Sequence, residues 1–296
     1  MFPLITSYWS QSTAKIKFIG QKEGGMDKLK GKKIVNLYHG SAYGKETIPV
    51  LDIQAKKYGF TVTHIEVPHP GNEQQSQWLQ VGQIKPDWVI LRGWGVMNPV
   101  ALRTAQRVGY PSNKILGVWW SGDEEDVLPA GDAAKGYIAA SFHPSGTNFP
   151  AIQDILKHVY GGGKKGNMDD PKRIGQQYFN RGVIQGILAV EGIRVAQEKY
   201  GKGKPITGEQ MKWGLENLNL NEQRLKQIGA SGLMSPLKTS CSDHEGGGAV
   251  KFMSWDGAKW TAITDWIQPD QSIVRPMVEE AAAKYAKEKN LTPRKC

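Results

Sequence analysis

The first group of residues that could bind a ligand is the segment 39–47, which follows a predicted strand and opens a predicted helix. A phosphate-binding loop would lie at such a position, but it needs four residues between its first glycine and Gly-Lys, with Ser or Thr next. Here three residues intervene, and Glu46 follows Lys45. An acidic residue repels phosphate and cannot replace the magnesium-binding hydroxyl, so the segment argues against nucleotide binding. The backbone N–H groups at the helix start remain able to bind a ligand carboxylate.

The second group, Gly93-Trp94-Gly95, lies at the carboxyl end of the third predicted strand. A dinucleotide-binding fingerprint would follow the first strand and would have a glycine where this chain has Asn98. The remaining feature is an aromatic ring between glycines at a strand end, where open α/β sheets bind ligands. Two alternatives stay open: Trp94 lines a pocket, or Trp94 packs in the core.

The third group is the run of acidic residues 123–126, which follows Trp119-Trp120-Ser121-Gly122 at the end of the fourth predicted strand. Acidic side chains at a helix start are favoured by the helix dipole alone. Alternatively, the first acidic side chain faces a cleft and pairs with a ligand ammonium group. The sequence does not distinguish these two roles.

Residues 241–245 contain Cys, Asp, His and Glu side chains, which are common metal ligands. Neighbours in an extended segment point in opposite directions, and no second histidine stands at a helical spacing, so a turn is the favoured interpretation. The sequence also lacks a nucleophile elbow, an HExxH motif and a recognisable pair of catalytic carboxylates. We therefore predict neither an enzyme nor a cofactor or metal site.

These groups are positioned by short β-rich segments that alternate with helical ones from residue 32 onward. Such alternation indicates an α/β protein with βαβ units and a mostly parallel sheet. After Phe142 come three successive helices and then a hairpin around Asp256-Gly257, which favours two lobes between which the chain crosses more than once. The predicted elements are strands 34–38, 61–67, 88–91, 115–120, 137–142, 249–255 and 259–266, and helices 45–58, 73–83, 99–108, 149–160, 175–200, 207–218 and 276–289.

The composition of the 296-residue chain excludes several classes of protein. With 39% hydrophobic and 22% charged residues it can bury a core, which argues against disorder. No run reaches the ~18 apolar residues of a membrane-spanning helix. The net charge of +10 comes from scattered lysines, which favours a solvated face over nucleic-acid binding. The first residues do not look like a signal peptide, so either the protein is cytosolic or its true N-terminus is absent.

Several motifs together resemble the branched-chain amino-acid type of ABC-transporter substrate-binding protein, over nearly the whole chain. The family has the type I periplasmic-binding fold, with two lobes, three crossing segments, and an amino acid or similar small molecule closed between the lobes. The resemblance implies that each lobe is a mostly parallel sheet flanked by helices, and that the first lobe is incomplete because the chain begins late. The motifs are KLKGKKI (28–34), SAYGKE (41–46), PGNEQQSQW (70–78), GWGVMN (93–98), GVWWSG (117–122), NRG (180–182) and WDGAKW (255–260).

The same resemblance implies a division of the chain. Residues 1–31 would end lobe 1 and make the first crossover, and 32–142 would form lobe 2. Residues 143–232 would return helices to lobe 1, and 233–266 would make the third crossover and the hairpin. Residues 267–296 would be the C-terminal helix and tail.

The ligand residues follow from the resemblance only in part. Tyr43 and Trp94 match the family's aromatic positions, and Asp123 or Glu124 falls where the family places an acid for the ligand's ammonium group. We expect Tyr43 and Trp94 to face one pocket in the cleft. Because tryptophans depart from the leucine-type pocket, another amide, amino or aromatic compound is favoured as ligand. The remaining candidate contacts are Ser41, Trp9, Ser10 and Trp120.

By the resemblance, the protein is a periplasmic monomer that delivers its ligand to the membrane permease of an ABC transporter, without catalysis. The alternative is a ligand-sensing domain of a transcription regulator or receptor, which uses the same fold. No helix-turn-helix segment is recognisable, so transport is the favoured interpretation.

The two cysteines, Cys241 and Cys296, fit either one disulfide in an oxidising compartment or two ordinary thiols. An exported chain with only two cysteines offers one partner for each. We therefore expect the two Cα atoms to lie roughly 4.4–6.8 Å apart, so that a disulfide tethers the charged tail 293–296.

Overall fold

The computed structural model describes residues 2–3, 5–164 and 166–296. Strands and helices alternate in the first part of the chain, as the sequence predicts. In order, these elements are α1 (Tyr8–Glu23), β1 (Lys33–His39), α2 (Ala42–Lys45), α3 (Ile48–Tyr58), β2 (Thr61–Val67), α4 (Gln75–Ile84), β3 (Trp88–Arg92), α5 (Met97–Arg107), β4 (Ile115–Gly117), α6 (Glu124–Val127) and β5 (Ile138–Ser141).

Helices dominate the second part until a late hairpin and a long terminal helix. A π-helical turn, Leu156–Tyr160, continues α7. The elements are α7 (Pro150–Ile155), α8 (Gln177–Tyr200), α9 (Gly208–Glu216), β6 (Asn219–Leu220), α10 (Glu222–Gln227), β7 (Leu237–Lys238), β8 (Lys251–Trp255), β9 (Trp260–Ala262) and α11 (Gln271–Glu288).

One sheet organises the larger part of the described residues, with strand order β2-β1-β3-β4-β5-β8-β9. The pairings from β2 to β5 are parallel, whereas β8 pairs with β5, and β9 with β8, in antiparallel fashion. The backbone N–H groups of Ala258 and Lys259 donate to the Asp256 carboxylate at the hairpin turn. The predicted parallel α/β sheet and the late hairpin are both confirmed.

Of the element boundaries that differ from the sequence prediction, three have clear local causes. Strand β4 ends at Gly117 because the Ser121 hydroxyl accepts the Val118 N–H and turns the chain. Helix α3 starts at Ile48 because Ser41 caps the separate short helix α2. Helix α11 starts at Gln271, before the predicted 276, because the Asp270 carboxylate accepts the Ser272 N–H.

Helix α1 packs against the sheet and belongs with it. Its buried residues Ala14 and Phe18 lie in one core cluster with Trp88 and Phe252, and the rings of Phe18 and Phe252 stack with centroids 4.0 Å apart. This packing differs from the expectation that residues 1–31 end the first lobe. The physical reason is that the apolar face of a helix buries more surface when it packs on the apolar face of a sheet than when the helix lies in a segment that connects two lobes.

A second core forms among the helices α7 to α10. Ile152, Ile184, Leu218 and Leu225 pack there, away from the sheet. We call the two parts the sheet body (8–141 and 250–288) and the helical body (150–238). In the described residues the chain passes between them near 5–8, 142–149 and 238–250, and the first and third of these passages are joined by the Ile5 and Gly248 backbones.

The C-terminal tail is bound to the helical body and to the third passage. Cys241 and Cys296 form a disulfide with Cα atoms 5.4 Å apart, inside the expected range. Arg294 pairs through both terminal nitrogens with the Glu216 carboxylate at the end of α9, at 2.5 and 2.9 Å. The last residues are therefore held at two points.

Candidate functional site

A guanidinium held between two phenol rings forms the centre of the carboxyl edge of the sheet. Arg92 ends β3, and its guanidinium carbon lies 3.7 Å from the ring centroid of Tyr8 and 4.0 Å from that of Tyr43. Its Nε and Nη2 donate to the Tyr43 carbonyl at 3.2 and 2.9 Å. The Tyr43 hydroxyl donates to the Gly93 carbonyl at 2.9 Å, so β3 and the loop after β1 are fastened together.

Three tryptophans extend this cluster along the cleft. Trp119 stacks on Tyr8 with ring centroids 4.5 Å apart, and the Trp120 Nε1 donates to the Tyr8 hydroxyl at 2.6 Å. Trp94 lies 6.4 Å from the Tyr43 ring and 6.2 Å from the Trp120 ring, and it is 56% exposed. Tyr43 and Trp94 are neighbours at this edge of the sheet, and the expectation that both face one pocket in the cleft stays a prediction.

A second guanidinium joins the helical body to these rings. Arg181, in the second turn of α8, is 4% exposed, and its guanidinium lies 4.8 Å from the Trp120 ring and 5.0 Å from the Tyr178 ring. Its Nε donates to the His143 Nε2 at 3.3 Å and its Nη2 to the Trp119 carbonyl at 2.8 Å. Within the described part of the chain, Nη1 of Arg181 and Nη1 of Arg92 are buried without a partner.

The predicted ammonium-binding acids cap helices. Asp123 begins α6, where it accepts the Glu125 N–H, and it also accepts the Tyr178 N–H at 2.8 Å. Glu124 accepts the Gln177 N–H at 3.1 Å. The two carboxylates therefore bind N–H groups at the N-terminus of α8. This arrangement agrees with the interpretation that the acidic residues stabilise the start of a helix. Their predicted role toward a ligand ammonium group stays a prediction.

Burial shapes the titration of this acidic turn. It raises the pKa of Glu124 from 4.5 to about 7, and that of Asp126 from 3.8 to about 7, against the hydrogen bonds that these carboxylates accept. Asp126 accepts from the Asn98 amide at 2.7 Å. Burial also raises the pKa of Asp123. Glu124 and Asp126 therefore gain charge only near neutral pH.

A cavity with a volume of about 590 Å³ lies between the two bodies. Trp120 is the member of the predicted ligand set that lines it, whereas Tyr43 and Trp94 do not line it but lie next to the rings of Tyr8 and Trp120, which do. The cavity is lined by Phe2, Pro3, Ile5, Thr6, Ser7, Tyr8, Glu46, Trp119, Trp120, Phe142, Arg181, Ile184, Gln185, Leu188, Ala189, Met211 and Leu215.

The other predicted contacts have local structural partners. The Trp9 Nε1 donates to the Glu46 carbonyl at 2.9 Å. The Ser41 hydroxyl accepts the Gly44 N–H. For Ser10 only the backbone has such a partner: its N–H donates to the Ser7 hydroxyl at the start of α1, while its own hydroxyl is buried without a hydrogen bond in the described residues. None of these three side chains lines the large cavity, so their ligand contact remains a prediction.

Sequence reasoning missed Arg92, Arg181 and Tyr8 as members of the cluster. A signal existed for two of them, because Arg92 is a charged residue directly after four apolar strand residues, and Arg181 stands inside the NRG motif. No group of three or more His, Cys, Asp or Glu side chains in the described ranges could hold a metal ion. Likewise, none of the described helices is long and apolar enough to cross a bilayer.

Comparison with known proteins gives a consistent picture. The model of a family described as periplasmic binding protein matches residues 1–259. A solved structure described as an ABC transporter permease from the Pseudomonas fluorescens group is 49% identical, with a TM-score of 0.96, and the match covers 100% of this chain and 71% of that one. Among proteins of curated function, none matches the chain.

Two more distant structures share the fold. A branched chain amino acid ABC transporter protein from Thermus thermophilus with bound valine is 21% identical, with a TM-score of 0.73, covering 93% of this chain and 69% of that one. A solute binding protein from R. palustris in complex with benzoate is 18% identical, with a TM-score of 0.61, covering 88% and 64%.

Proposed function

The chain belongs to the periplasmic binding protein family, and from this membership we propose that it binds an amino-acid-like or amide-like molecule between its two bodies. The family is extracytoplasmic and non-catalytic, and its members bind small solutes for ABC transporters. On this proposal the protein works as a periplasmic monomer, and a membrane permease takes up the ligand that it delivers.

The observation that carries the proposal is the cavity of about 590 Å³ between the sheet body and the helical body. Small-molecule sites are concave, mostly apolar, and carry a few polar groups that orient the ligand. Here Tyr8, Trp119 and Trp120 supply aromatic surface, and Arg181 and Glu46 supply charge. A site of this composition suits a small organic molecule with an apolar or planar part.

Closure of the two bodies is the proposed link between binding and transport. A ligand in this cavity contacts Trp120 on one side and Ile184 and Leu188 on the other. Contacts to both bodies exist together only when the bodies are close, so the ligand shifts the protein toward a closed form. A permease can then distinguish loaded from empty protein by shape.

The relatives support a broad ligand class. The Thermus thermophilus protein holds valine and the R. palustris protein holds benzoate, and both share the fold of this chain. The aromatic side chains around the cavity favour a ligand with a planar or bulky apolar group over a small polar one.

Calorimetric titration of the purified chain tests the proposal. We expect at least one member of a panel of L-valine, L-phenylalanine, phenylacetamide and L-phenylalaninamide to bind with one-to-one stoichiometry. If none of them binds, we expect a filtered metabolite extract to raise the melting temperature of the protein. Trp120→Ala should weaken that binding about tenfold or more, because a buried aromatic face contributes about 1–3 kcal/mol. Trp266→Ala, which lies outside the cavity, is the matched control. Absence of binding by the whole panel and by the extract contradicts the proposal.

A further inference from the structure

Arg181 is a buried cation without an ion pair among the described residues. It is 4% exposed and lines the interbody cavity. Its two hydrogen bonds go to neutral acceptors, the Trp119 carbonyl and the His143 ring, which burial keeps uncharged by lowering its pKa to about 3. By contrast, Arg92 has Glu46 at 3.6 Å, and Arg224 is bonded to Glu191.

The surroundings of Arg181 compensate its charge only in part. The rings of Trp120, Phe142 and Tyr178 lie 4.8–5.2 Å away and attract the cation, but a ring face does not accept the in-plane N–H groups of a guanidinium in the way an oxygen does. Asp123 and Asp126 attract it from a longer distance, while their own oxygens accept backbone and amide N–H groups.

An unpartnered Nη1 in this setting needs an acceptor. Buried charges in proteins are almost always paired, because removing a charge from water is unfavourable unless an opposite charge and hydrogen bonds replace the lost water. Nη1 carries two N–H groups and has no acceptor in the described residues. A planar carboxylate is the group that matches a guanidinium best.

Much of the rest of the cavity wall is apolar, although Thr6, Ser7, Glu46 and Gln185 also line it. Ile184 and Leu188 follow Arg181 on α8, Leu215 comes from α9, and Trp119 closes the side of the sheet body. A ligand whose charged end lies at Arg181 would therefore place an apolar body against these side chains.

We infer that the ligand of this protein carries a carboxylate that pairs with Arg181 and an apolar body that fills the cavity between α8, α9 and Trp119. The inference rests on the proposed function and names the group by which the ligand is recognised. It assigns the main charge contact to α8 of the helical body. Nη1 is closed to solvent, so the pairing includes a rotation of the guanidinium or of a ring beside it.

Matched compounds that differ only in charge test this inference on the unaltered chain. We would titrate 3-phenylpropanoate, 3-phenylpropanamide and L-phenylalanine, and likewise 4-methylpentanoate, 4-methylpentanamide and L-leucine, by calorimetry. We expect a carboxylate to bind at least about tenfold more tightly than its amide, as charge-assisted hydrogen bonds require. Equal or tighter binding of the amides overturns the inference and leaves the proposed function standing.

Variants locate the contact. Arg181→Gln should remove the preference for acid over amide, whereas Arg181→Lys should retain part of it, because lysine keeps the charge and loses the two-pronged geometry. Arg107→Gln, exposed on α5, is the control and should bind as the parent chain does. A preference that survives in Arg181→Gln overturns the assignment to Arg181. The comparison of acid with amide needs no variant, so it stays decisive if Arg181→Gln does not fold.

One further outcome separates this inference from the proposed function. In this outcome, a metabolite extract raises the melting temperature of the protein, but no carboxylate of the panel binds at up to about 1 mM. The proposed function then stands, and the carboxylate inference is overturned. A preference for the acid over its amide, together with loss of that preference in Arg181→Gln, supports both the inference and the proposed function.

Discussion

Charged side chains at the cleft are held by rings more than by opposite charges. Arg92 is 1% exposed and lies between Tyr8 and Tyr43, an arrangement in which cation–π attraction replaces part of the lost hydration. Its terminal nitrogen Nη2 also lies 3.6 Å from Glu46. This guanidinium is a buried positive charge beside the cleft, and it contributes to the pKa shifts of Tyr8, Lys15, Tyr43 and Glu46.

Lys15 shows that effect most clearly. It is 2% exposed on α1, and burial, followed by the charge of Arg92, lowers its pKa well below 10.5. At pH values between the lowered pKa and about 10.5, the Lys15 side chain is therefore protonated in the unfolded chain and deprotonated in the folded chain. Within that interval the stability contributed by this group rises as the pH rises.

Lys15→Met should stabilise the protein at neutral pH and flatten this rise. Removal of the buried ammonium group should increase the free energy of unfolding by on the order of 1 kcal/mol near pH 7, and by less as the pH approaches 10. Urea denaturation at several pH values measures both effects. Lys284→Met, exposed on α11, is the control. A variant less stable than the parent at pH 7 would contradict the argument.

At the scale of elements, the N-terminus of α8 connects the helical body to the sheet body. Its first N–H groups are accepted by Asp123 and Glu124, which lie more than fifty residues earlier in the chain. A helix start presents free N–H groups and a partial positive charge, so two carboxylates are suitable partners. The same helix carries Arg181 toward the rings of the sheet body, so the cap also positions the cavity wall.

Glu124→Gln tests how this cap depends on pH. The folded-state pKa of Glu124 is raised from 4.5 to about 7, so the folded chain binds more protons than the unfolded chain between these values, and stability falls as the pH rises through that interval. The variant keeps an oxygen for the Gln177 N–H but no longer titrates. We expect its free energy of unfolding to vary less between pH 4.5 and 7 than that of the parent.

Glu125→Gln is the matched control for this experiment, because the Glu125 side chain is 55% exposed and pairs with Arg173 on the surface. Identical pH profiles for Glu124→Gln and the parent would show that Glu124 does not titrate in the folded protein as described. A strong loss of ligand affinity in Glu124→Gln would instead support the ammonium-binding role predicted from the sequence.

At the scale of the whole molecule, the two bodies are joined by passages near 5–8, 142–149 and 238–250, and the tail is fastened across them. Helix α11 packs on α1 and α3 of the sheet body, while Arg294 pairs with Glu216 of the helical body and Cys296 is bonded to Cys241 in the third passage. The C-terminal segment thus spans the connection between the bodies, beside the third passage.

The disulfide should contribute strongly to stability. Cys241 and Cys296 are 55 residues apart, and closing a loop of this length stabilises by about 4 kcal/mol in the chain-entropy model. We expect the double variant Cys241→Ser and Cys296→Ser to lose about that amount in urea denaturation. Arg294→Gln, which leaves the bridge intact, should lose far less. Two free thiols in non-reducing mass mapping of the exported protein would contradict the bridge.

Much of the fold is determined by sequence because its elements depend on neighbouring residues. The alternation of β1 to β5 with helices, the hairpin at Asp256-Gly257, the end of α8 before Gly201 and the start of α9 after Thr207 follow from hydrophobic periodicity, turn residues and caps within a few positions. The family resemblance depends on motifs of the same short range. Boundaries such as the start of α11 moved only because one side chain, Asp270, provided an earlier cap.

The site was decided by tertiary structure, because its contacts join residues far apart in the chain. Trp120 and Tyr8 are 112 positions apart, and Arg181 is 62 positions from the Trp119 carbonyl that it binds. No local pattern determines which hydrogen-bond partners a carboxylate or a guanidinium finds in the folded protein. The sequence alone therefore did not decide whether Asp123 caps a helix or contacts a ligand. Packing of α8 against the sheet body supplied the N–H groups for the acids and left Nη1 of Arg181 without one acceptor.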